Sequence, residues 1–596
     1  MFDKLKSKFF GDRYSQLNLI RRLLVEHAIV QWRAYALAAT LMIVMAACTA
    51  IGAYLIGHAI NAAYGSRDII AVISVCTGII AVSTLRGFAS YWQAVQMGRI
   101  RNRIIAANQR RLFEKILRLG SAFFASRHSS EFSARIMWGA NSAADTLNLL
   151  ISAFCRDSMQ LIGLSAVMIS QSPTLSLIAV VVAPPAILVG RKAVERVRAI
   201  VRYEFAAGAN VLEVVQETIQ GFKIVQAFSL QSVMRDRIDS YVTSIEEASN
   251  KLTRASNFVG PLMEGLGGIA IALVILVGCY RVIVSNAAPG DYTAFLTAFI
   301  LAYEPAKRIA RVNVDLSNSM VGVRILYEFV DLPDQPDEGA KPNIQVKDGR
   351  IEFRDVNFGY HSDVAVLKGM SFSAEPGCIT ALVGPSGGGK STVINLLLRL
   401  YDGYRGAIVI DGQEVSTVSR HSLREHFAFV GQDAFLFRGS IRDNIAFGSS
   451  GATNDEIVAA AKAAHADDFI RQFPSSYDTQ VGEHGMQLSG GQRQRISVAR
   501  ALIRKAPIIL LDEPTTFLDS ETESYVNLAI SKLFSGRTRL IIAHRLYTIS
   551  HADKIYVVED GRIVESGRHD TLMRQGGRYS HFVNLQLTRE KQLQLA

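Results

Sequence analysis

The stretch from Gly384 to Ser391 has the residue types and spacing of a loop that binds phosphate groups. It matches the P-loop pattern G-x-x-x-x-G-K-[ST] and lies between an apolar run typical of a buried strand and a predicted helix. Its glycines allow successive backbone N–H groups to point at phosphate oxygens, and the helix N-terminus adds positive potential. Lys390 would reach the β- and γ-phosphates, and Ser391 would hold Mg²⁺. The predicted nucleotide-binding residues here are Gly384, Pro385, Ser386, Gly387, Gly388, Gly389, Lys390, Ser391 and Thr392.

A second chemical pair, Asp512 and Glu513, follows the apolar run 508–511. An apolar strand that ends in two acids brings carboxylates to the carboxyl edge of a parallel sheet, where open α/β folds bind ligands. Asp512 suits a direct or outer-sphere role at Mg²⁺, and Glu513 is placed to activate the attacking water. Two acids at a strand end are by themselves typical of a solvated surface. With the P-loop upstream they indicate a Walker B motif.

The run Leu488-Ser489-Gly490-Gly491-Gln492 resembles the signature that distinguishes the ABC superfamily from other P-loop ATPases. In that family the signature of one subunit closes on the ATP held by the P-loop of the other. The resemblance therefore implies that Ser489, Gly490, Gly491 and Gln492 belong to the nucleotide-binding set, with Ser489 and Gly491 acting in trans.

Five more residues stand in the order and spacing of the same family. Tyr360 resembles the aromatic residue that stacks on adenine, and Gln432 resembles the Q-loop glutamine that links Mg²⁺ and water to the membrane domain. Asp519 resembles the D-loop aspartate, and His544 resembles the histidine that contacts the γ-phosphate. Glu483 resembles the X-loop acid of exporters. Any one of them alone would fit an ordinary core or surface position, and their joint occurrence favours the family roles.

The resemblance implies that the catalytic residues are Glu513, His544 and Gln432, and that the metal-binding residues are Ser391, Gln432 and Asp512.

Two residues depart from the family pattern. Pro514 follows the Walker B glutamate where many exporters have Ala, and Phe517 precedes Leu518 where Ala is usual. Neither departure removes a catalytic group, so we expect them to affect the rate alone.

Six apolar runs near the ~20 residues that a helix needs to cross a bilayer come before residue 332. The outside-facing connections are short, whereas two other connections are long and one of them is strongly basic. The positive-inside rule then places both termini and both long connections in the cytoplasm. Helical spacing of apolar residues predicts that the spans continue into the cytoplasm as helices. The predicted spans are 34–58, 69–92, 146–170, 175–189, 258–283 and 292–310.

The order of these segments predicts the domain organisation. An apolar stripe within 17–24, flanked by Arg21 and Arg22, favours an amphipathic helix in the membrane interface over a surface helix packed on a neighbour. A stretch rich in Pro, Asp and Gly begins at Asp331 and indicates a linker. We expect a transmembrane domain at 1–332, a linker at 333–346 and an ABC nucleotide-binding domain at 347–596. The predicted fold class is a polytopic α-helical membrane domain, with six spans and long cytoplasmic helix extensions, fused to an α/β P-loop domain.

Composition narrows the classes further. The net charge is +11, which alone could suggest nucleic acid, but the excess of Lys and Arg lies between the apolar runs, as in inner-membrane proteins. We therefore expect no nucleic-acid partner. The five cysteines show neither CxxC spacing nor extracellular pairs, so we expect no disulfide framework and no cysteine-based metal site. The polar, basic opening residues predict no cleaved signal peptide.

The whole layout resembles an ABC exporter half-transporter, which implies ATP and Mg²⁺ as cofactors and a homodimer with two competent ATPase sites. The expected location is the inner (plasma) membrane, with the ATPase domain in the cytoplasm. ATP binding and hydrolysis would drive alternating access and move an amphipathic substrate, such as a lipid, a glycolipid or a hydrophobic drug. A glycan or peptide exporter, an ATP-gated channel and an importer of the same architecture remain alternatives.

Ionisable residues inside spans mark candidate substrate sites, because they are costly in a bilayer. Six such residues lie in the predicted spans: Arg86, Arg156, Asp157, Glu264, Glu304 and Lys307. The alternatives to a substrate role are pairing, for example of Arg156 with a nearby acid, and a gate on the cytoplasmic side. The candidates for the substrate site are Arg86, Arg156, Glu304 and Lys307. The membrane half resembles the lipid A flippases, whose lipid phosphates are held by basic residues, and Arg86, Arg156 and Lys307 fall on matching positions. Glu304 falls where those flippases have Arg, and an acid there would repel a phosphate. A broader amphiphile, glycolipid or multidrug substrate is therefore a rival.

Overall fold

The structure is a computed structural model that describes residues 14–124, 129–177, 200, 203, 207–257, 259–285, 288–335, 341–361, 364–514, 536–543 and 549–595. The chain divides into two compact units. One comprises residues 1–119 and 126–334, and the other comprises 120–125 and 335–596. The domain limits expected from the sequence stay a prediction.

The first unit is helical throughout its described secondary structure. Residues 24–28, 62–66 and 152–157 form wider π-helical turns, and residues 207–220 are also helical. The helix α3, with 50 residues, is about 75 Å long, more than twice the ~30 Å of a hydrocarbon core. The helices in chain order, of which α4 belongs with the second unit, are α1 (Gln16–Leu23), α2 (Trp32–Asn61), α3 (Ile69–Arg118), α4 (Ser121–Phe124), α5 (Ser129–Ile151), α6 (Ser158–Gln171), α7 (Phe222–Ala227), α8 (Gln231–Asn257), α9 (Val259–Ser285) and α10 (Pro289–Val330).

The predicted spans coincide with these helices wherever the structure describes them. The first and second lie within α2 and α3, the fifth lies within α9 apart from its first residue, and the sixth lies within α10. The third crosses from α5 through the π-helical turn 152–157 into α6. The fourth, 175–189, lies mostly outside the described residues. By length and composition alone, Trp32–Tyr64 and Ile69–Arg118 can cross a membrane, and Glu264–Tyr280 is a shorter apolar helix.

The short helix α1 is fixed to the rest of the first unit by a buried apolar face and a polar network around Glu26. Leu19 and Leu23 are buried. The Glu26 carboxylate accepts hydrogen bonds from Arg22 (2.9 Å), Arg111 of α3 (2.6 Å) and the Tyr327 hydroxyl of α10 (2.9 Å). Burial alone would raise the pKa of Glu26, but these hydrogen bonds lower it below its usual range. The carboxylate therefore stays ionised and links α1 to α3 and α10.

The helices α5 and α10 pack closely because small residues face each other. A Cβ added to Gly322 would overlap the Ser142 side chain, and one added to Gly139 would lie 3.2 Å from the Cβ of Leu326. Without side chains at these two positions the backbones approach each other, as at membrane helix contacts rich in Gly and Ser.

The second unit is an α/β structure with two sheets. The order in the four-stranded antiparallel sheet is β2-β1-β4-β5, and the order in the six-stranded sheet is β10-β9-β3-β8-β7-β6, parallel except for β10. The strands are β1 (Ile351–Phe358), β2 (Leu367–Ala374), β3 (Ile379–Val383), β4 (Arg405–Ile410), β5 (Gln413–Glu414), β6 (Phe427–Val430), β7 (Ile508–Asp512), β8 (Thr538–Ile542), β9 (Lys554–Glu559) and β10 (Arg562–Gly567).

Apolar side chains of the six-stranded sheet enter two cores, one on each face. Ile509 and Leu511 of β7 join one cluster, and Ile508 and Leu510 join the other. Burial on both faces explains why the central strands are continuous apolar runs rather than alternating ones. The helices that the structure describes in this unit are α11 (Lys390–Leu397), α12 (Arg420–Glu425), α13 (Ile441–Ala446), α14 (Asn454–Ala463), α15 (Asp467–Gln472), α16 (Gly490–Ile503), α17 (His569–Gln575) and α18 (Arg578–Leu595).

The substitution Gly322→Ala is expected to destabilise the first unit by about 1–3 kcal/mol, because its methyl group would overlap Ser142 in a packed contact. The apparent Tm of the purified protein measures the effect. Gly98→Ala is the matched control, since a Cβ there meets nothing within 4 Å and Ala is favoured over Gly in a helix interior by about 0.5–1 kcal/mol. An equal Tm for both variants would contradict the close α5–α10 contact.

Candidate functional site

The P-loop connects β3 to α11, and its glycines are required by its shape. Gly384 and Gly389 have φ angles of 139° and 94°, which side-chain-bearing residues rarely adopt. A Cβ on Gly384 would also overlap the carbonyl oxygen of Val558 in β9, and one on Gly389 would lie 2.7 Å from Leu367. The sequence of β3, loop and helix therefore has the geometry that the motif predicts.

Lys390, the first residue of α11, is 5% exposed and points back into the loop. Its ammonium group donates hydrogen bonds to the carbonyl oxygens of Gly384 (2.9 Å) and Pro385 (2.8 Å). Burial lowers the pKa of this lysine, although Glu513 and Asp512 act in the opposite direction. An ammonium group held only by carbonyl oxygens in a buried loop is suited to bind an anion such as a phosphate.

Asp512 and Ser391 meet beside the loop. The Ser391 hydroxyl donates to the Asp512 carboxylate over 3.5 Å, the long limit for a hydrogen bond. Burial raises the pKa of Asp512, while the bond from Ser391 and the charge of Lys390 lower it in part. A desolvated carboxylate next to a hydroxyl supplies the oxygen ligands that Mg²⁺ prefers, so these residues fit that ion.

Glu513 has an unusual backbone, with a φ of 48° directly after β7. Its N–H donates to the carbonyl oxygen of Ile542 in β8 (3.1 Å), and its carboxylate accepts from the Gln432 side-chain amide (3.1 Å). Gln432 follows β6, which pairs in parallel with β7. The predicted water-activating acid and the Q-loop glutamine are thus brought together at one sheet edge, as the motifs imply. Backbone strain at such a position is typical of functional sites.

Tyr360 lies beside the start of α11 and is 40% exposed. Its hydroxyl is 3.1 Å from the Thr392 hydroxyl and accepts a hydrogen bond from the Asn395 side-chain amide (3.1 Å). The Tyr401 ring packs edge-on against it, with 4.9 Å between the ring centroids. Asn395 and Tyr401 hold Tyr360 in place and were not recognised from the sequence, since neither belongs to a motif.

The signature segment forms the N-terminus of α16. The Ser489 hydroxyl accepts from the Gln492 N–H (3.2 Å), and the Gln492 side chain accepts from the Ser489 N–H (2.9 Å), which is a capping box. Further along α16, the buried Gln494 side chain donates to the carbonyl oxygen of Pro514 (2.7 Å). This bond uses the backbone of residue 514, so the unusual proline is compatible with it. Nothing in the sequence pattern had singled out Gln494.

Of the remaining predicted residues that the structure describes in this unit, Glu483 lies apart from the network. Glu483 begins a short turn of 3₁₀ helix, and its side chain is 74% exposed, 3.9 Å from His484. Asp519 and His544, as well as the atypical Phe517, lie outside the described residues.

In the first unit the candidate substrate residues are largely paired with opposite charges. Arg156 contacts Asp157 (3.0 Å), and Arg308 of α10 contacts the same carboxylate (3.0 Å). Lys307 donates to Glu264 of α9 (2.7 Å), and the Glu304 carboxylate is 3.8 Å from Arg308. The sequence had not indicated Arg308 as a site residue, although it directly follows Lys307. Arg86 is exposed on α3.

Comparisons with known proteins agree with both halves of the chain. The family model for the ABC transporter matches residues 367–516, and the model for the ABC transporter transmembrane region matches residues 35–305. An uncharacterized ABC transporter ATP-binding protein of Sinorhizobium fredii is 41% identical, over 96% of this chain and 98% of the relative.

Two further similarities concern proteins with named activities. The ATP-dependent lipid A-core flippase of Syntrophus aciditrophicus is 37% identical, over 94% of this chain and 93% of the relative. A solved structure of a bacterial Atm1-family ABC exporter with ATP bound is similar with a TM-score of 0.85 and 27% identity, over 93% of this chain and 99% of that chain.

The substitution Glu513→Gln is expected to lower ATP hydrolysis at least about 100-fold, because an amide cannot accept a proton from the attacking water. Phosphate release by the purified protein in lipid nanodiscs measures the rate. Glu375→Gln removes an acid that pairs with Arg350 over 3.4 Å and should keep the wild-type rate. Equal hydrolysis by Glu513→Gln and wild type would exclude the catalytic role.

The substitution Lys390→Met is expected to weaken ATP binding by about 10- to 100-fold, because it removes a charge-assisted hydrogen bond to the phosphates. Methionine is also unbranched, so the shape of the side chain changes little. Displacement of a fluorescent nucleotide measures the Kd. Lys368→Met, at an exposed lysine of β2, is the control for a general loss of positive charge. If both variants bind alike, Lys390 does not contact the phosphates.

Proposed function

The chain belongs to the ABC transporter family, as an exporter that couples ATP hydrolysis to transport across the membrane, and we propose that it works as a homodimer that flips an amphipathic substrate. The observation that carries the nucleotide part is the meeting of the P-loop, Asp512, Glu513 and Gln432 at one edge of the six-stranded sheet.

Each residue at this edge has a role in the proposed reaction. Lys390 and the P-loop N–H groups bind the phosphates, and the exposed Tyr360 ring stacks on the adenine. Ser391, Asp512 and Gln432 are placed to hold Mg²⁺, whose charge would offset that of the β- and γ-phosphates. Glu513 orients the attacking water and accepts its proton. The family resemblance adds His544 at the γ-phosphate and Asp519 in the D-loop.

Two copies of the chain are needed for a complete site under this proposal. Ser489, Gly490, Gly491 and Gln492 of one subunit would close on the nucleotide bound by the other. The capping box at Ser489 presents the N-terminus of α16, which has positive potential and exposed N–H groups suited to a phosphate. ATP can drive closure only if it binds the closed dimer more tightly than the open one.

The membrane unit and the relatives support a proposal for the substrate and for its location. Several relatives are named lipid A-core flippases, which supports a lipid or glycolipid substrate. We place the protein in the inner membrane, with both termini and the ATPase domain in the cytoplasm, because the long, basic connections would lie on that side.

ATP hydrolysis in phosphatidylcholine nanodiscs, with and without lipopolysaccharide, tests the proposal. Stimulation by lipopolysaccharide that is absent in Glu513→Gln would identify a lipid A-like glycolipid as the substrate. Indifference to lipopolysaccharide would exclude that substrate and would favour another amphiphile. Native mass spectrometry should show two chains of 65.3 kDa each, and a stable monomer with full ATPase activity would contradict the homodimer.

A further inference from the structure

A polar cavity of about 720 Å³ lies between α5 and α10 in the first unit. The volume is within the range of small-molecule sites. Its wall is rich in side-chain amides and hydroxyls, which both donate and accept hydrogen bonds. These neutral polar residues are Asn141, Ser142, Asn148, Ser152, Asn318 and Ser319.

The cavity begins outside the apolar part of the third predicted span and ends within it. Trp138 lies eight residues before Thr146, where that span begins, and Arg156 lies ten residues after it. On the topology proposed above, this level is the cytoplasmic surface of the bilayer. A lipid of the cytoplasmic leaflet has its head group at this depth, so the polar wall faces the polar end of such a lipid.

The wall has the chemistry of a carbohydrate site. Sugars carry neighbouring hydroxyl groups that act as donors and acceptors, so carboxamides and carboxylates can bind them in pairs. Asp145 and Asp315 supply two such carboxylates. Trp138, which is 45% exposed, supplies an apolar ring on which the C–H face of a sugar can pack.

The charges of the wall do not suit a phosphate group. Arg156 is the one basic residue among those lining the cavity in the described part of the chain, and its guanidinium group is bonded to Asp157. The two lining acids, Asp145 and Asp315, would repel a second negative charge. Their partners are Arg101 (2.8 Å) and Arg311 (3.9 Å). An anionic head group would have to break an existing ion pair to gain a basic partner.

We propose that this cavity binds an uncharged glycosyl head group, so that the transported lipid is a glycolipid recognised through its hydroxyls and not through phosphates. The inference rests on the proposed lipid export and names the substrate class. It assigns recognition to Asn148 and Asn318, on facing helices, and leaves Arg156 as a structural partner of Asp157.

Binding can be followed without ATP by the fluorescence of Trp138. The chain has three tryptophans, so Trp32→Phe and Trp92→Phe together leave Trp138 as the sole reporter. The protein in phosphatidylcholine nanodiscs is titrated with digalactosyldiacylglycerol, with diacylglycerol lacking sugars, and with bisphosphorylated lipid A. A saturable fluorescence change is expected with the digalactosyl lipid, with no change for diacylglycerol and at least about tenfold weaker binding of lipid A.

Variants assign the recognition to particular side chains. Asn148→Leu and Asn318→Leu should each weaken binding of the digalactosyl lipid about tenfold, the effect of one lost hydrogen bond. Asn250→Leu, at an exposed position on α8, is the matched control and should bind as the parent does. Apparent Tm values confirm that each variant is folded.

Three results would overturn the proposal: lipid A binding as tightly as the neutral glycolipid, loss of binding in Arg156→Gln but not in the two Asn variants, or no saturable change with the digalactosyl lipid. Glu513→Gln should bind the glycolipid normally, because the assay contains no ATP. If the wild type binds the glycolipid but does not flip it with ATP, the proposed export is refuted and the binding site stands. If the wild type exports lipids with and without sugars equally well, the binding site is refuted and the proposed export stands.

Discussion

Parallel pairing of β7 between β6 and β8 is the constraint on which the nucleotide site depends. In parallel strands the carboxyl ends meet at one edge. Gln432 follows β6, Asp512 ends β7, and the P-loop follows β3 on the far side of β8. The register Val430↔Leu511 sets Gln432 next to Glu513. A slip by one residue would turn every side chain of β7 to the other face and would separate this pair.

A different constraint governs the first unit, where charges have to be compensated. Asp157 is 3% exposed in its side chain and accepts from both Arg156 and Arg308. Removing the acid would leave two guanidinium groups without this partner, which is far more costly than losing an exposed pair. The same pairing that makes these residues tolerable in a bilayer also reduces their capacity to bind phosphate.

A second group of ion pairs joins the first helices of this unit to the residues that follow α10. Arg22 donates to both carboxylate oxygens of Asp331 at 2.7 and 2.8 Å, and Lys115 pairs with Asp334 at 2.5 Å. With Glu26 these bonds connect α1 and α3 to the chain that follows α10.

The site residues differ in how far the sequence determined them. The P-loop and the acids Asp512 and Glu513 could be predicted because short motifs fix their chemistry and their place at strand ends. The apolar runs likewise predicted helices at five of the six predicted spans, since a bilayer requires a continuous run. Gln494, Asn395, Tyr401 and Arg308 could not be predicted, because their partners lie far away in the chain or carry no motif.

The sequence by itself determined the element types, the family and the phosphate-binding chemistry, because these depend on residue types at short spacing. Tertiary structure alone decided which charges neutralise each other and where a polar cavity forms. Lys307 has no acid beside it in the chain, and only folding brings Glu264 within 2.7 Å of it. Folding likewise brings Arg308 within 3.0 Å of Asp157, which lies 151 residues earlier. The physical reason is that electrostatic compensation depends on distance in space, which helix packing sets and local sequence does not.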